Sequence, residues 1–152
     1  MSTITALDLT KDYPRSPLIP LGGFPWLARM IDKTRALNAG KLGEYKPFPC
    51  GGDQTFLGAY GVDAAAFKAK VDGGASDDEI VTWFTANHVA NGEAIATYGQ
   101  RMLTPITDPE YLGYLEGSKA ELAAARPELD VAKVTNFAQL ICLEEGHACP
   151  GL

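Results

Sequence analysis

The sequence predicts an all-α or mainly α protein, a compact bundle of about six helices with an irregular proline-rich N-terminal arm and one long loop. Three observations predict it. Apolar residues recur at three- and four-residue spacing through most of the chain. Residues that start and stop helices fall at the ends of those stretches. The 152 residues, 46% hydrophobic and 21% charged, suit a single domain with its own core.

From Leu7 to Pro25 the chain carries Pro14, Pro17, Pro20 and Pro25 around Gly22-Gly23, which removes backbone donors and disfavours helix. Its apolar members Leu7, Leu9, Leu18, Ile19 and Leu21 predict an arm laid against the body. The first helix should run from about Trp26 to Asn38, with Leu27, Met30, Ile31, Thr34 and Leu37 on one stripe. Pro25 is placed to start it and Asn38-Ala39-Gly40 to stop it. Arg29, Asp32 and Lys33 fall on the other side. They read as a solvated ion-pair face or as the charged wall of a shallow pocket.

Gly40 to Gly61 holds eight glycines and prolines among Tyr45, Phe48, Phe56 and Tyr60, and predicts a long irregular loop with room for one short strand pair at Leu42–Phe48. Such a segment inside a compact domain usually serves a function. Beyond it, Asp63 should cap a helix to about Val71. Ser76 and Glu79 form a capping box for a helix with Ile80, Trp83, Phe84 and Asn87 on one face. After a break at Asn91-Gly92, Ile95, Tyr98 and Met102 mark another helix. Asp108-Pro109 opens the next, with Leu112, Leu115 and Leu122 as its buried edge. Asp130 is the candidate cap of the last helix, which carries Val134, Phe137, Ala138 and Ile141 and ends at Gly146.

The formal net charge of −6 and pI near 4.8 disfavour nucleic acid and anionic membrane surfaces as partners. No apolar run approaches a membrane span, and Met1–Thr10 lacks the features of a signal peptide, so the cytoplasm is the expected location. Cys50, Cys142 and Cys149 form an odd, widely spaced set, expected as reduced thiols. Phosphate-loop, dinucleotide, zinc-protease and serine-elbow fingerprints are missing, and no cofactor is expected.

Candidate chemistry is therefore sparse. Cys142, Glu145, His147 and Cys149 are zinc-ligand types, but their spacing matches no closed zinc module and no metal is expected. His88 reads as a packed histidine. Cys50 follows two prolines and precedes Gly51-Gly52, which would leave its thiol on an exposed turn; activation needs a cation brought in by the fold. Glu44 and Asp53 flank the irregular segment as paired acids or as acceptors for loop amides.

The strings Leu7-Asp8-Leu9-Thr10-Lys11-Asp12, Pro14-Arg15-Ser16-Pro17, Leu21-Gly22-Gly23 and Arg29-Met30-Ile31-Asp32-Lys33-Thr34-Arg35-Ala36 occur in that order. Gly40-Lys41-Leu42-Gly43-Glu44-Tyr45 and Cys50-Gly51-Gly52-Asp53-Gln54 follow. The set resembles a bacterial family known only as domain of unknown function number five thousand and sixty-nine. The resemblance implies no activity; it implies a location, because the family-like polar positions flank the first helix, the arm before it and the loop after it.

The functional expectation is a small-molecule binding protein or enzyme for an anionic ligand. Arg15 and Arg35 would hold the anion. Glu44 or Asp53 would be the polar partner, with Tyr45 as a wall and Cys50 on the loop. Two alternatives stand beside it. The same residues could form a buried network that pins arm and loop to the bundle. The protein could also be an interaction module or homo-oligomer, which exposed Trp26, Phe48 or Phe56 would favour.

Overall fold

The computed structural model describes residues 4–89 and 92–148; Asn91 of the predicted break and Cys149 lie outside them. Seven helices occur among the described residues: α1 Leu27–Asn38, α2 Gly51–Tyr60, α3 Ala64–Asp72, α4 Asp77–Asn87, α5 Gly92–Leu103, α6 Pro109–Ala125 and α7 Phe137–Glu145. None is long and apolar enough to cross a membrane. In place of the strand pair allowed at Leu42–Phe48, the described residues hold one isolated bridge, Leu21 with Phe24.

The helix ends follow local chemistry. Asp63 accepts from the Ala66 amide at 2.9 Å, and Ser76 and Glu79 close a capping box on α4. Asp108 accepts from the Glu110 amide, with Pro109 in the first turn of α6. The predicted cap of the last helix is wrong. Asp130 accepts from Ala132 in a preceding turn, whereas Asn136 caps α7 through the Gln139 amide at 2.8 Å. Asn136 is also tied to the end of α5 through the Met102 carbonyl, so a long-range contact places the α7 start.

The larger correction is α2. The long loop ends at Cys50, and Gly51–Tyr60 is helical despite Gly51, Gly52 and Gly58. Each interior glycine costs about 1 kcal/mol of helix propensity. Burial of Phe56, Leu57 and Tyr60 offsets this by roughly 1.5–3 kcal/mol per large apolar side chain. Phe56 stacks on Phe84 at 5.3 Å and meets Tyr98 edge-on at 5.6 Å, which ties α2 to α4 and α5.

α1 packs on α3, α2 on α5, α3 on α4, and α7 on both α5 and α6. The main core gathers Leu27, Met30, Ile31, Phe56, Phe67, Ile80 and Phe84; a smaller cluster of Leu115, Leu122, Val134 and Leu140 joins α6 to α7. α1 is buried nearly all round: Arg29, Asp32 and Lys33 are each about 95% covered. The solvated face predicted for them does not exist. Arg15 from the arm reaches Asp32, and Glu145 from the end of α7 reaches Arg29, so distant segments roof the charged side of α1.

Candidate functional site

The charged side of α1 divides into two groups. On the flank that carries Asp32 and Arg35, Arg15 donates to both oxygens of Asp32 at 3.0 Å and to Asp77 at 2.8 Å. Arg35 donates to the other Asp77 oxygen at 2.9 Å and to the Ala75 carbonyl at 3.0 Å. Two guanidiniums thus meet two carboxylates, and the charges balance. Burial pushes the Asp77 carboxyl up, but hydrogen bonds and charge from Arg15 and Arg35 outweigh it and hold the group below its ordinary value. This group joins the arm, α1 and the start of α4. Replacing Arg15 by alanine removes four side-chain hydrogen bonds from half-exposed geometry, so stability should fall by about 1–2 kcal/mol in urea unfolding. A change below about 0.5 kcal/mol would show that the group does not hold the arm.

On the neighbouring flank, α1 presents Arg29 and Lys33, one turn apart. Arg29 and Glu145 form a two-pronged pair, both bonds 2.8 Å, with each side chain 5% exposed. Tyr45 donates its hydroxyl to Glu145 at 2.9 Å, and His147 Nε2 lies 3.0 Å from the other Glu145 oxygen. The Arg29 guanidinium also packs over the rings of Trp26 and Tyr45, at 5.8 and 5.6 Å. Burial raises the Tyr45 hydroxyl, and the negative Glu145 that accepts its proton raises it further. Burial pushes Glu145 up as well, but the Arg29 hydrogen bonds and charge, helped by Tyr45 and His147, hold it low.

Beside this knot lies Cys50, half-buried at the N-terminus of α2. Lys33 Nζ, on a residue 4% exposed, donates to Cys50 Sγ at 3.4 Å. Among the described residues Lys33 has no carboxylate at ion-pairing distance. Asp53, fully buried in the first turn of α2, accepts from the Cys50 amide at 3.0 Å and from Trp26 Nε1 at 2.8 Å. Gly52 lets the indole cross that turn, since a Cβ there would lie 2.5 Å from the Trp26 ring. The Cys50 backbone is therefore fixed, and its sulfur faces an ammonium at the positive end of a helix.

Of the six expected ligand residues, Tyr45, Cys50 and Asp53 come together here. Arg15 and Arg35 lie in the other group, and Glu44 is exposed. Arg29 and Lys33, read from the sequence as a solvated face or the wall of a pocket, join the first three, and so do Glu145 and His147, which the sequence grouped only as zinc-ligand types. The four-residue step from Arg29 to Lys33 was a usable signal for two of them. Glu145 is 116 residues from Arg29, and no spacing reveals that meeting. Among the described residues no group of three or more His, Cys, Asp or Glu could hold a metal; Cys142 is buried 3.2 Å from the Ser16 hydroxyl. His88 packs against Phe24, Tyr60 and Phe84.

Fold and site together define a helical protein with a thiol–ammonium pair set beside a buried ion-pair knot. The chain belongs to the family described as Domain of unknown function (DUF5069), whose profile matches residues 11–147. No curated protein matches it.

Proposed function

We propose that the protein binds a small anionic molecule on the Arg29–Lys33 flank of α1, beside Cys50, and acts on it through the Cys50 sulfur. The observation that carries this reading is the buried Lys33 ammonium donating to Cys50 Sγ at 3.4 Å. A buried cation needs a negative partner. The candidate here is an incoming anion beside the sulfur, since among the described residues Lys33 has no carboxylate at ion-pairing distance. Lys33 supplies positive charge, Arg29 is already neutralised by Glu145 and shapes the wall beside it, and Cys50 is the nucleophile.

Arg15 and Arg35 take a structural role, since Asp32 and Asp77 already neutralise them. Arg35 does border an open groove of about 430 Å³ with Ile4, Thr5, Ala6, Lys41, Val71 and Asp72. That groove lies at the C-terminal ends of α1 and α3, where the helix dipole is negative and disfavours an anion. Trp26, Phe48 and Phe56, whose exposure would have favoured an interaction module, are buried. A reduced, reacting thiol also fits a cytoplasmic location.

The test compares iodoacetate, an anion, with neutral iodoacetamide, reading alkylation at Cys50 by peptide mapping so that Cys142 and Cys149 are not confused with it. Lys33→Met should slow iodoacetate roughly tenfold or more and iodoacetamide less. Equal rates in both proteins, or a Cys50 that neither reagent modifies, would sink the proposal.

A further inference from the structure

We infer that Cys50 and Lys33 together form a modification site for hydroperoxides, which converts the pair into a covalent sulfur–nitrogen link between the α2 N-terminus and α1. The inference rests on the reading of Cys50 as a reactive thiol and adds a second reactant to it, the Lys33 amine.

The geometry carries it. Nζ and Sγ are already at 3.4 Å, close to van der Waals contact, so bond formation needs no rearrangement of either helix. The Lys33 side chain is buried, and the Cys50 amide is held by Asp53, so both partners are pre-positioned. Holding two reactants in this way replaces an encounter between molecules with a step inside one. Peroxide is small enough to reach the half-buried sulfur. Cys142, the usual kind of resolving group, is buried against Ser16 instead.

The chemistry balances with one peroxide. The Cys50 thiolate attacks a peroxide oxygen, the O–O bond breaks, and the products are Cys50 sulfenic acid and hydroxide. Sulfur is oxidised and peroxide reduced. The hydroxide takes a proton from the Lys33 ammonium and becomes water. The neutral amine then attacks sulfur, and the sulfenic oxygen leaves as a second water, giving the S–N bond of a sulfenamide. Sulfenic acids are known to condense with nitrogen in this manner. The link removes the nucleophile and the cation together. A thiol reductant cleaves it and restores both, so the site would be silenced reversibly by oxidant.

The experiment exposes the full-length protein, freed of reductant, to a small excess of hydrogen peroxide, followed by digestion and mass spectrometry. The expected product is one joined peptide pair, Lys33 to Cys50, two hydrogens lighter than the sum of its parts and separated again by a thiol. In Lys33→Met and in Lys33→Arg, which keeps the charge, the joined pair should vanish. Cys50 should then be captured by a sulfenic-acid trap or pass on to sulfinic acid. If wild type yields the trapped sulfenic acid with no joined pair while iodoacetamide still modifies Cys50, this inference fails and the site reading survives. If iodoacetamide also leaves Cys50 untouched, both fall.

Discussion

Replacing Glu145 by glutamine lowers the unfolding free energy by about 3–5 kcal/mol, with a midpoint shift in urea and an unchanged slope. The reason is asymmetric. An intact buried ion pair is worth little net, because desolvation of both charges cancels most of their attraction, but a buried charge left alone is costly. Arg29 and Glu145 are each 5% exposed at the side chain, so water cannot take over the orphaned guanidinium. The variant also weakens the acceptors used by Tyr45 and His147. Arg29→Met with Glu145→Leu together should recover most of the loss, because neither charge remains. A single variant within about 0.5 kcal/mol of wild type would mean that the pair is hydrated in solution.

The same carboxylate sets a pH dependence. Its folded value lies below the ordinary 4.5, so the folded state holds the proton less tightly than the unfolded chain. Its contribution is therefore complete above that ordinary value and is lost as pH falls from there through the folded value. Wild type should lose stability in this acid window faster than Glu145→Gln, and the two curves should converge. Parallel curves would show that Glu145 does not titrate differently on folding.

Asp53→Ala should cost about 2–4 kcal/mol, since it orphans two buried donors, the Trp26 indole and the Cys50 amide. The expected consequence reaches function. With the first turn of α2 loosened, Cys50 is no longer held against Lys33, and its alkylation by iodoacetate should fall toward the rate seen in Lys33→Met. Asp53→Asn keeps one acceptor and should lose about half as much stability. A stable Asp53→Ala protein with unaltered Cys50 reactivity would separate the acid from the site altogether. Unfolding midpoints and alkylation rates measured on the same samples distinguish these results.

Much of the fold was legible because its signals are local. The caps at Asp63, Ser76 and Asp108 and the stop at Gly146 act on amides and carbonyls within a few residues, so reading neighbours is enough. The helix missed, α2, is one whose own residues argue against it. Its three glycines lose to the burial of Phe56, Leu57 and Tyr60, and that burial is supplied by α4 and α5. Asp130 misled for a related reason: a good capping residue was used in a turn, while Asn136 was fixed by the end of α5.

The sequence by itself determined that the protein is helical, where most helices begin and end, and that its unusual polar residues surround the first helix. Only the tertiary structure decided what those residues do. Arg15 and Arg35 looked free to hold a ligand until Asp77, 62 and 42 residues away, took both. Arg29 and Lys33 read as a solvated face or a pocket wall until α7 and the Cys50 turn covered them. Helical period and capping depend on steps of three or four residues, which the chain carries in its own order. The partner of a buried charge depends on which distant segment the packed core brings against it, and local order along the chain does not encode that choice.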